Sequence, residues 1–338
     1  MSPSDVSVIT TVKNEASSIS GLLDSLQAQT RPPAEVMIVD GGSTDGTIER
    51  IDLYRSSLPI RLLVREGCNI SQGRNEAIGA ASGEIVACTD AGVRLVPQWL
   101  EELTRPLEQD SSIDVVSGFF LPDPTSVFEI AMGATVLPSL SDIIPDQFLP
   151  SSRSVAFRRR AWERVGGYPE WLDYCEDLVF DFALRDAGCK FTFAPRAVAY
   201  FRPRSNLRDF WHQYFNYARG DGKADLWRTR HAIRYLTYLL VAPLLIVMAV
   251  VHSPLWWLLL LGGVALYVWR PYRRLRPAML GLPWQDRLKA VPWVPIIRVW
   301  GDVAKMAGYP TGVFWRARHE RDHVSVRQGG GPPPTQVR

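Results

Sequence analysis

Apolar and polar positions repeat in a regular order over the first two hundred residues. The runs "VSVITTV" at 6–12, "EVMIVD" at 35–40, "IRLLVRE" at 60–66 and "EIVACTD" at 84–90 have strand length and are rich in branched aliphatics. Between them, "SSISGLLDSLQAQ" and "SQGRNEAIGAASG" space their apolar residues as helices do. Strand, helix and strand in succession predict an α/β fold: a mostly parallel sheet with helices on both faces, because buried parallel strands read as continuous apolar runs. "DVVSGFFL" at 114–121 adds a strand, and residues 122–150 are a Pro-rich insertion with no assignable element. "SRSVAFRRRAWERVGGY" predicts a strand and a short helix stopped by paired glycines. A helix around "EDLVFDFALRDAG" and the run "KFTFAPRAVAYF" follow.

The pattern changes near residue 235. Tyr235 to Val251 carries no charge, and after "HSP" neither does Leu255 to Trp269. Each run approaches the roughly 17–25 residues that span a bilayer core. Arg228, Arg230 and Arg234 precede the first, and Arg270, Arg273, Arg274 and Arg276 follow the second, with only His252 between them. The positive-inside rule then predicts a transmembrane helical hairpin with both ends in the cytoplasm. The predicted organisation is an α/β domain over 1–205, an amphipathic interfacial helix over 206–234, the hairpin over 235–270, an interfacial segment over 271–320 and a disordered tail over 321–338.

Composition narrows the partners. The chain has 338 residues, enough for a full core, and its 38 basic and 35 acidic residues leave a net charge of +3. So small an excess gives no case for nucleic-acid binding. Its four cysteines form no C-x-x-C pair, which argues against a zinc site or a disulfide framework. The start "MSPSDVSVITTV" lacks a basic segment followed by a long apolar one, so no cleavable signal is expected and the N-terminal domain is expected in the cytoplasm.

The chemistry gathers where strands end. "VDGGSTDGT" at 39–47 puts Asp40 at the C-terminal end of a strand, where open α/β sheets bind ligands, and follows it with small residues that allow close approach. "TTVKNE", "VDGGSTDGT", "SQGRNEAIGAASGEIVACTDAG", "SSRSVAFRR", "GGY" and the "ED" at 176–177 succeed one another in the order found in family 2 glycosyltransferases. The chain resembles that family over roughly residues 6–200, and the resemblance implies the GT-A fold and a nucleotide-diphosphate sugar as donor. It also implies that Thr11, Asn14 and Glu15 line the nucleotide pocket and that Asp40 accepts hydrogen bonds from base or ribose, while Arg74, at a helix start, reads either as a phosphate contact or as one half of a surface ion pair. Asp45 reads as a helix-start cap or a ligand contact. "TDAG" stands at the family's D-x-D, with Asp90 matching the first carboxylate and Gly92 replacing the second. Mg²⁺ or Mn²⁺ held by Asp90 together with phosphates and water is the implied cofactor. Asp177, with Glu176 as the alternative, matches the catalytic base that takes the proton of an acceptor hydroxyl. Gln213 and Arg219 resemble loosely a Q-x-x-R-W element near the diphosphate, with interfacial packing as the competing reading.

The expectation is an inverting glycosyltransferase of the bacterial polysaccharide type, multi-pass in the inner membrane, with a cytoplasmic catalytic domain. Its partners would be the nucleotide sugar, a polyprenyl-linked or glycan acceptor, membrane lipid and other glycan-assembly proteins. The alternatives are a polyprenyl-phosphate glycosyltransferase and a non-catalytic nucleotide-sugar-binding scaffold.

Overall fold

The computed structural model describes residues 5–319, so the expected tail lies outside the described residues. The chain forms two compact units, one of residues 5–123 and 140–202, the other of residues 124–139 and 203–319.

The first unit is built on a sheet of eight strands: β1 (Val6–Val12), β2 (Glu35–Asp40), β3 (Ile60–Val64), β4 (Ile85–Cys88), β5 (Val93–Leu95), β6 (Val115–Pro122), β7 (Val155–Arg158) and β8 (Phe191–Phe201). They lie in the order β3-β2-β1-β4-β7-β6-β8-β5. β3, β2, β1 and β4 run parallel, β7 opposes both β4 and β6, β8 returns parallel to β6, and β5 closes the edge antiparallel. The helices of this unit are α1 (Ile19–Gln27), α2 (Thr47–Asp52), α3 (Ile70–Ala80), α4 (Trp99–Gln109), α6 (Arg159–Val165) and α7 (Glu176–Asp186). The insertion before β7 supplies α5 (Val127–Val136), which belongs to the second unit.

Strand periodicity sorts the core onto two faces. Val8 and Ile38 pack with Leu22 of α1 and Trp99 of α4, whereas their neighbours Ile9, Met37 and Val39 pack with Ile78 of α3 and Phe180 of α7. β1 and β2 are therefore apolar at almost every position. Each such side chain, fully buried, stabilises the fold by about 1.5–3 kcal/mol. Helices on both faces leave the C-terminal ends of β1, β2 and β4 as a common rim.

The second unit is helical: α5, α8 (Leu207–Lys223), α9 (Arg228–Leu236), α10 (Ala242–Val251), α11 (Trp256–Met279) and α12 (Trp284–His319). Asn206 caps α8 by accepting from the Asp209 N–H at 2.9 Å. α8 packs so closely on α12 that a Cβ at Gly308 would stand 2.1 Å from the Phe215 carbonyl oxygen, so only glycine fits there. Phe210 of α8, Met132 of α5 and Ile297 of α12 share a small core. A π-helical segment over Thr237–Val241 joins α9 to α10, giving a continuous helix from Arg228 to Val251.

That helix is long and apolar enough to cross a membrane, and it is the one among the described residues that is. The second span of the expected hairpin is not matched in this way. Its apolar run forms the first part of α11, which continues without a break through Arg270, Arg273, Arg274 and Arg276. Leu239, Leu240, Val247 and Val250 of the first helix, and Leu258 and Leu266 of α11, are exposed. On the inner side, Asp302 of α12 accepts from Tyr267 at 2.6 Å, Arg234 at 2.8 Å and Tyr238 at 3.2 Å.

Candidate active site

The rim is assembled from loops laced to one another. Asn14, at the end of β1, takes a left-handed conformation with φ of 56°. Its backbone N–H donates to Ser43 Oγ at 2.8 Å, and its side-chain oxygen accepts from the Thr44 N–H at 2.9 Å. The Glu15 N–H donates to Thr47 Oγ1 at 2.8 Å, and its carboxylate accepts from the Ser18 hydroxyl. Asp45 accepts from the N–H groups of Ala16 and Thr47, both at 3.1 Å, so it organises the turn that leads into α2, whose N-cap position is Gly46. Thr11 is partly buried, and α3 rests so close to it that a Cβ at Gly73 would meet Thr11 Cγ2 at 2.7 Å.

Asp40 closes β2 opposite Val12 of β1 and is fully buried. Oδ2 accepts from the Gly42 and Ser43 N–H groups, both at 2.9 Å. Oδ1 is buried without a hydrogen-bond partner among the described residues. An unmet buried acceptor costs about 1–3 kcal/mol, a cost that a ligand N–H or O–H would relieve. Asp90 follows β4 at the same rim, with β1 between the two acids, about 10 Å away at two strand spacings.

Arg74 brings Asp90 and Glu176 together. From the first turns of α3 it donates through Nη1 to Glu176 Oε1 at 2.6 Å and through Nη2 to Asp90 Oδ1 at 3.0 Å. Its side chain is 3% exposed, so the residue expected at the phosphates is enclosed and occupied by two carboxylates. Burial works against its charge, but the surrounding anionic groups raise its pKa further still. Burial also pushes Glu176 up, against the pull of Arg74, and the charge of Asp177 adds to the rise.

Asp177 is differently placed. It is half-buried, whereas Glu176 is buried, because one step along α7 turns the side chain by about 100°. Cys175 before them has φ of 66°, a conformation that bulky residues adopt at a cost and that turns the chain into α7 with both acids at its start. The loop leading there is docked on α3. Asn69 Nδ2 donates to the Glu170 carbonyl at 2.7 Å, and Asn75 exchanges hydrogen bonds with the Tyr168 backbone at 2.8 and 2.9 Å. Asn75 and Tyr168 were not singled out in the sequence, although "QGRN" and "GGY" contain them. Gln213, on α8, donates to Tyr217 at 2.8 Å.

The donor set for a divalent ion is small. Asp90 is the rim carboxylate at the D-x-D position, Gly92 adds no second, and among the described residues no three His, Cys, Asp or Glu side chains converge on one point. An ion fits only as Mg²⁺ or Mn²⁺ sharing Asp90 with donor phosphate oxygens and water.

Loop order and sheet topology can be compared with known proteins. The model of the family described as glycosyl transferase family 2 matches residues 7–140, which include Asp40, Arg74 and Asp90. Over that stretch the chain is similar to the family. It is 29% identical over 245 residues to the succinoglycan biosynthesis protein ExoA of Rhizobium meliloti, covering 68% of this chain and 73% of that protein. It is 30% identical over 196 residues to the glycosyltransferase AglE of Haloferax volcanii, covering 56% of this chain and 64% of that protein. The mannosyltransferase PcManGT of Pyrobaculum calidifontis, solved with GDP-Man and Mn²⁺, matches with a TM-score of 0.60 and 22% identity over 90% of this chain and 87% of its own. That likeness bears out the GT-A fold expected from the sequence. The rim acids thus stand on the fold expected for them.

Proposed function

We propose that this glycosyltransferase moves a sugar from a nucleotide-diphosphate donor to a hydroxyl of a lipid-linked or polysaccharide acceptor at the cytoplasmic face of the inner membrane. The observation that carries the reading is Asp177: a half-buried carboxylate beside an acid already locked by Arg74. Glu176 is spent on that ion pair, so Asp177 is the group left to act as base. Asp177 takes the acceptor proton as the acceptor oxygen bonds to the anomeric carbon. The bond from that carbon to the diphosphate breaks, its electron pair leaves with the nucleoside diphosphate, and the configuration inverts.

The remaining residues bind and orient. Asp40 Oδ1 receives a base or ribose donor, and Thr11, Asn14 and Glu15 shape the pocket beside it. Arg74 serves as a strut between the Asp90 rim and the start of α7. Asp90 would hold Mg²⁺ or Mn²⁺, which when bound neutralises the leaving diphosphate. Membrane lipid is the partner best suited to the exposed apolar side chains of the Arg228–Val251 helix. The part ExoA takes in succinoglycan biosynthesis supports a glycan acceptor, which other assembly proteins would present.

The test is a donor panel. Membranes containing the full chain are given UDP-, GDP- and dTDP-sugars with endogenous acceptor, with and without chelator. One donor class should release nucleoside diphosphate in step with acceptor glycosylation, and excess Mg²⁺ or Mn²⁺ should restore what the chelator removes. Nucleotide binding with no donor consumed would instead identify a scaffold.

A further inference from the structure

α11 begins apolar and ends cationic. Its uncharged part, residues 256–269, rises about 21 Å, short of the roughly 30 Å of a bilayer core, and the same helix then carries Arg270, Arg273, Arg274 and Arg276. No acid in the neighbouring sequence offsets them, since residues 235–285 contain neither Asp nor Glu. The helix is also sided. Val268, Tyr272, Leu275 and Met279 pack with Ala290 and Val294 of α12, and the Tyr272 hydroxyl donates to the Val291 carbonyl at 3.0 Å. At about 100° per residue these four share one side, whereas Leu258, Leu266, Trp269, Arg270, Arg273 and Arg276 fall within about 120° on the other. Leu258, Leu266 and Trp269 are 65%, 80% and 62% exposed, and the three arginines are exposed with them.

We propose that this face of α11 is a docking surface for the anionic phospholipid headgroups of a membrane, with Arg270 and Arg276 meeting the phosphates and residues 256–269 dipping among the acyl chains. It goes beyond the sugar-transfer reading and does not depend on it. Neither Arg270 nor Arg276 has an ion pair or hydrogen bond among the described residues, whereas Arg273 and Arg274 hold contacts within the chain, so the headgroup contacts fall to the first two. An arginine can lay its methylenes along the apolar stripe and raise its guanidinium to the headgroups. Its planar fork matches phosphate oxygens, and the negative potential of an anionic leaflet adds attraction with each arginine that enters it. Trp269, at the join of the two stretches, suits the same depth, because its ring is apolar and its N–H polar. Charge decides the occupant. A second copy of the chain on this face would bury Arg270 and Arg276 with no acid of α11 to meet them, which is costly.

The test is the lipid preference of the full chain in neutral detergent, titrated with mixed micelles of phosphatidylglycerol or of phosphatidylcholine, with thermal unfolding as the fold control. Wild type should bind phosphatidylglycerol about thirtyfold more tightly than phosphatidylcholine, and raising salt to about 0.5 M should remove most of that preference. Arg270→Gln together with Arg276→Gln should weaken phosphatidylglycerol about ten- to thirtyfold and leave phosphatidylcholine unchanged. Arg270→Lys together with Arg276→Lys should retain most of the preference, because the charge is kept. Equal affinity of the wild-type chain for the two lipids overturns the proposal, whether or not any variant folds. An unchanged preference in the double glutamine variant overturns it too. So does a dimer in detergent that phosphatidylglycerol leaves intact, which would give the face to a second copy.

Discussion

Arg74 Nη1 stands 2.6 Å from Glu176 Oε1, 102 positions away in sequence, and both side chains are enclosed by the fold. Because Arg74 also reaches Asp90, one guanidinium ties the end of β4 to the start of α7. Removing one partner of such a pair leaves a buried charge without compensation, which costs about 3–5 kcal/mol. Arg74→Gln should therefore destabilise the first unit by that order in equilibrium unfolding. Combined with Glu176→Gln it should cost less than the two single changes added together. Additive costs would mean the contact contributes nothing.

Asp181 lies one turn beyond Asp177 on α7 and is buried, with Oδ2 unpartnered among the described residues. Burial pushes its pKa well above the ordinary 3.8, and the charge of Asp177 pushes the same way. A raised folded value means its stabilising contribution is complete below the unfolded pKa and is lost as pH rises through the folded one. Asp181→Asn has no proton to lose. Its unfolding midpoint should gain on wild type as pH climbs from below about 4 to neutrality. Any fixed cost of the added NH₂ group shifts the curve without altering its slope, so parallel curves would contradict this account.

Glu35, at the opposite end of β2, shows the reverse sign. Burial disfavours its charge, but hydrogen bonds from Ser7 at 2.6 Å, from the Ser82 backbone and hydroxyl, and from Arg61 at 3.3 Å outweigh burial and bring its pKa from 4.5 down to about 2. That contribution is present above the unfolded value and is lost as pH falls through the folded one. Glu35→Gln should cost about 1–3 kcal/mol at neutral pH, and the deficit should shrink as unfolding is followed below pH 4.5. A deficit independent of pH would assign the loss to packing alone.

The rim acids were legible because they sit in motifs. Asp40 and Asp90 each follow a strand whose apolar run is unmistakable, and β1, β2 and β6 begin and end within a residue of the runs that announced them. Partnership was less legible. Nothing in "QGRN" tells whether Arg74 faces ligand or carboxylate, since that depends on where residues 102 positions later pack. For the same reason "ED" could not separate Glu176 from Asp177. α5 was hidden in a Pro-rich stretch, although Ser126 caps it by accepting from the Glu129 N–H at 3.2 Å. Where the sequence offered only an interfacial segment over 271–320, α12 runs unbroken for 36 residues through Pro292, Pro295 and Pro310. A proline removes one hydrogen bond locally, and packing against α8 and α5 offsets it.

The central claim is that Asp177 takes the acceptor proton. The most direct measurement is single-turnover transfer by Asp177→Asn to a hydroxyl acceptor, with nucleotide affinity measured alongside. The account predicts a transfer rate about 10²–10⁴ lower with nucleotide binding unchanged. Transfer at the wild-type rate would contradict it, and would point to Glu176 or to an acceptor phosphate that needs no base.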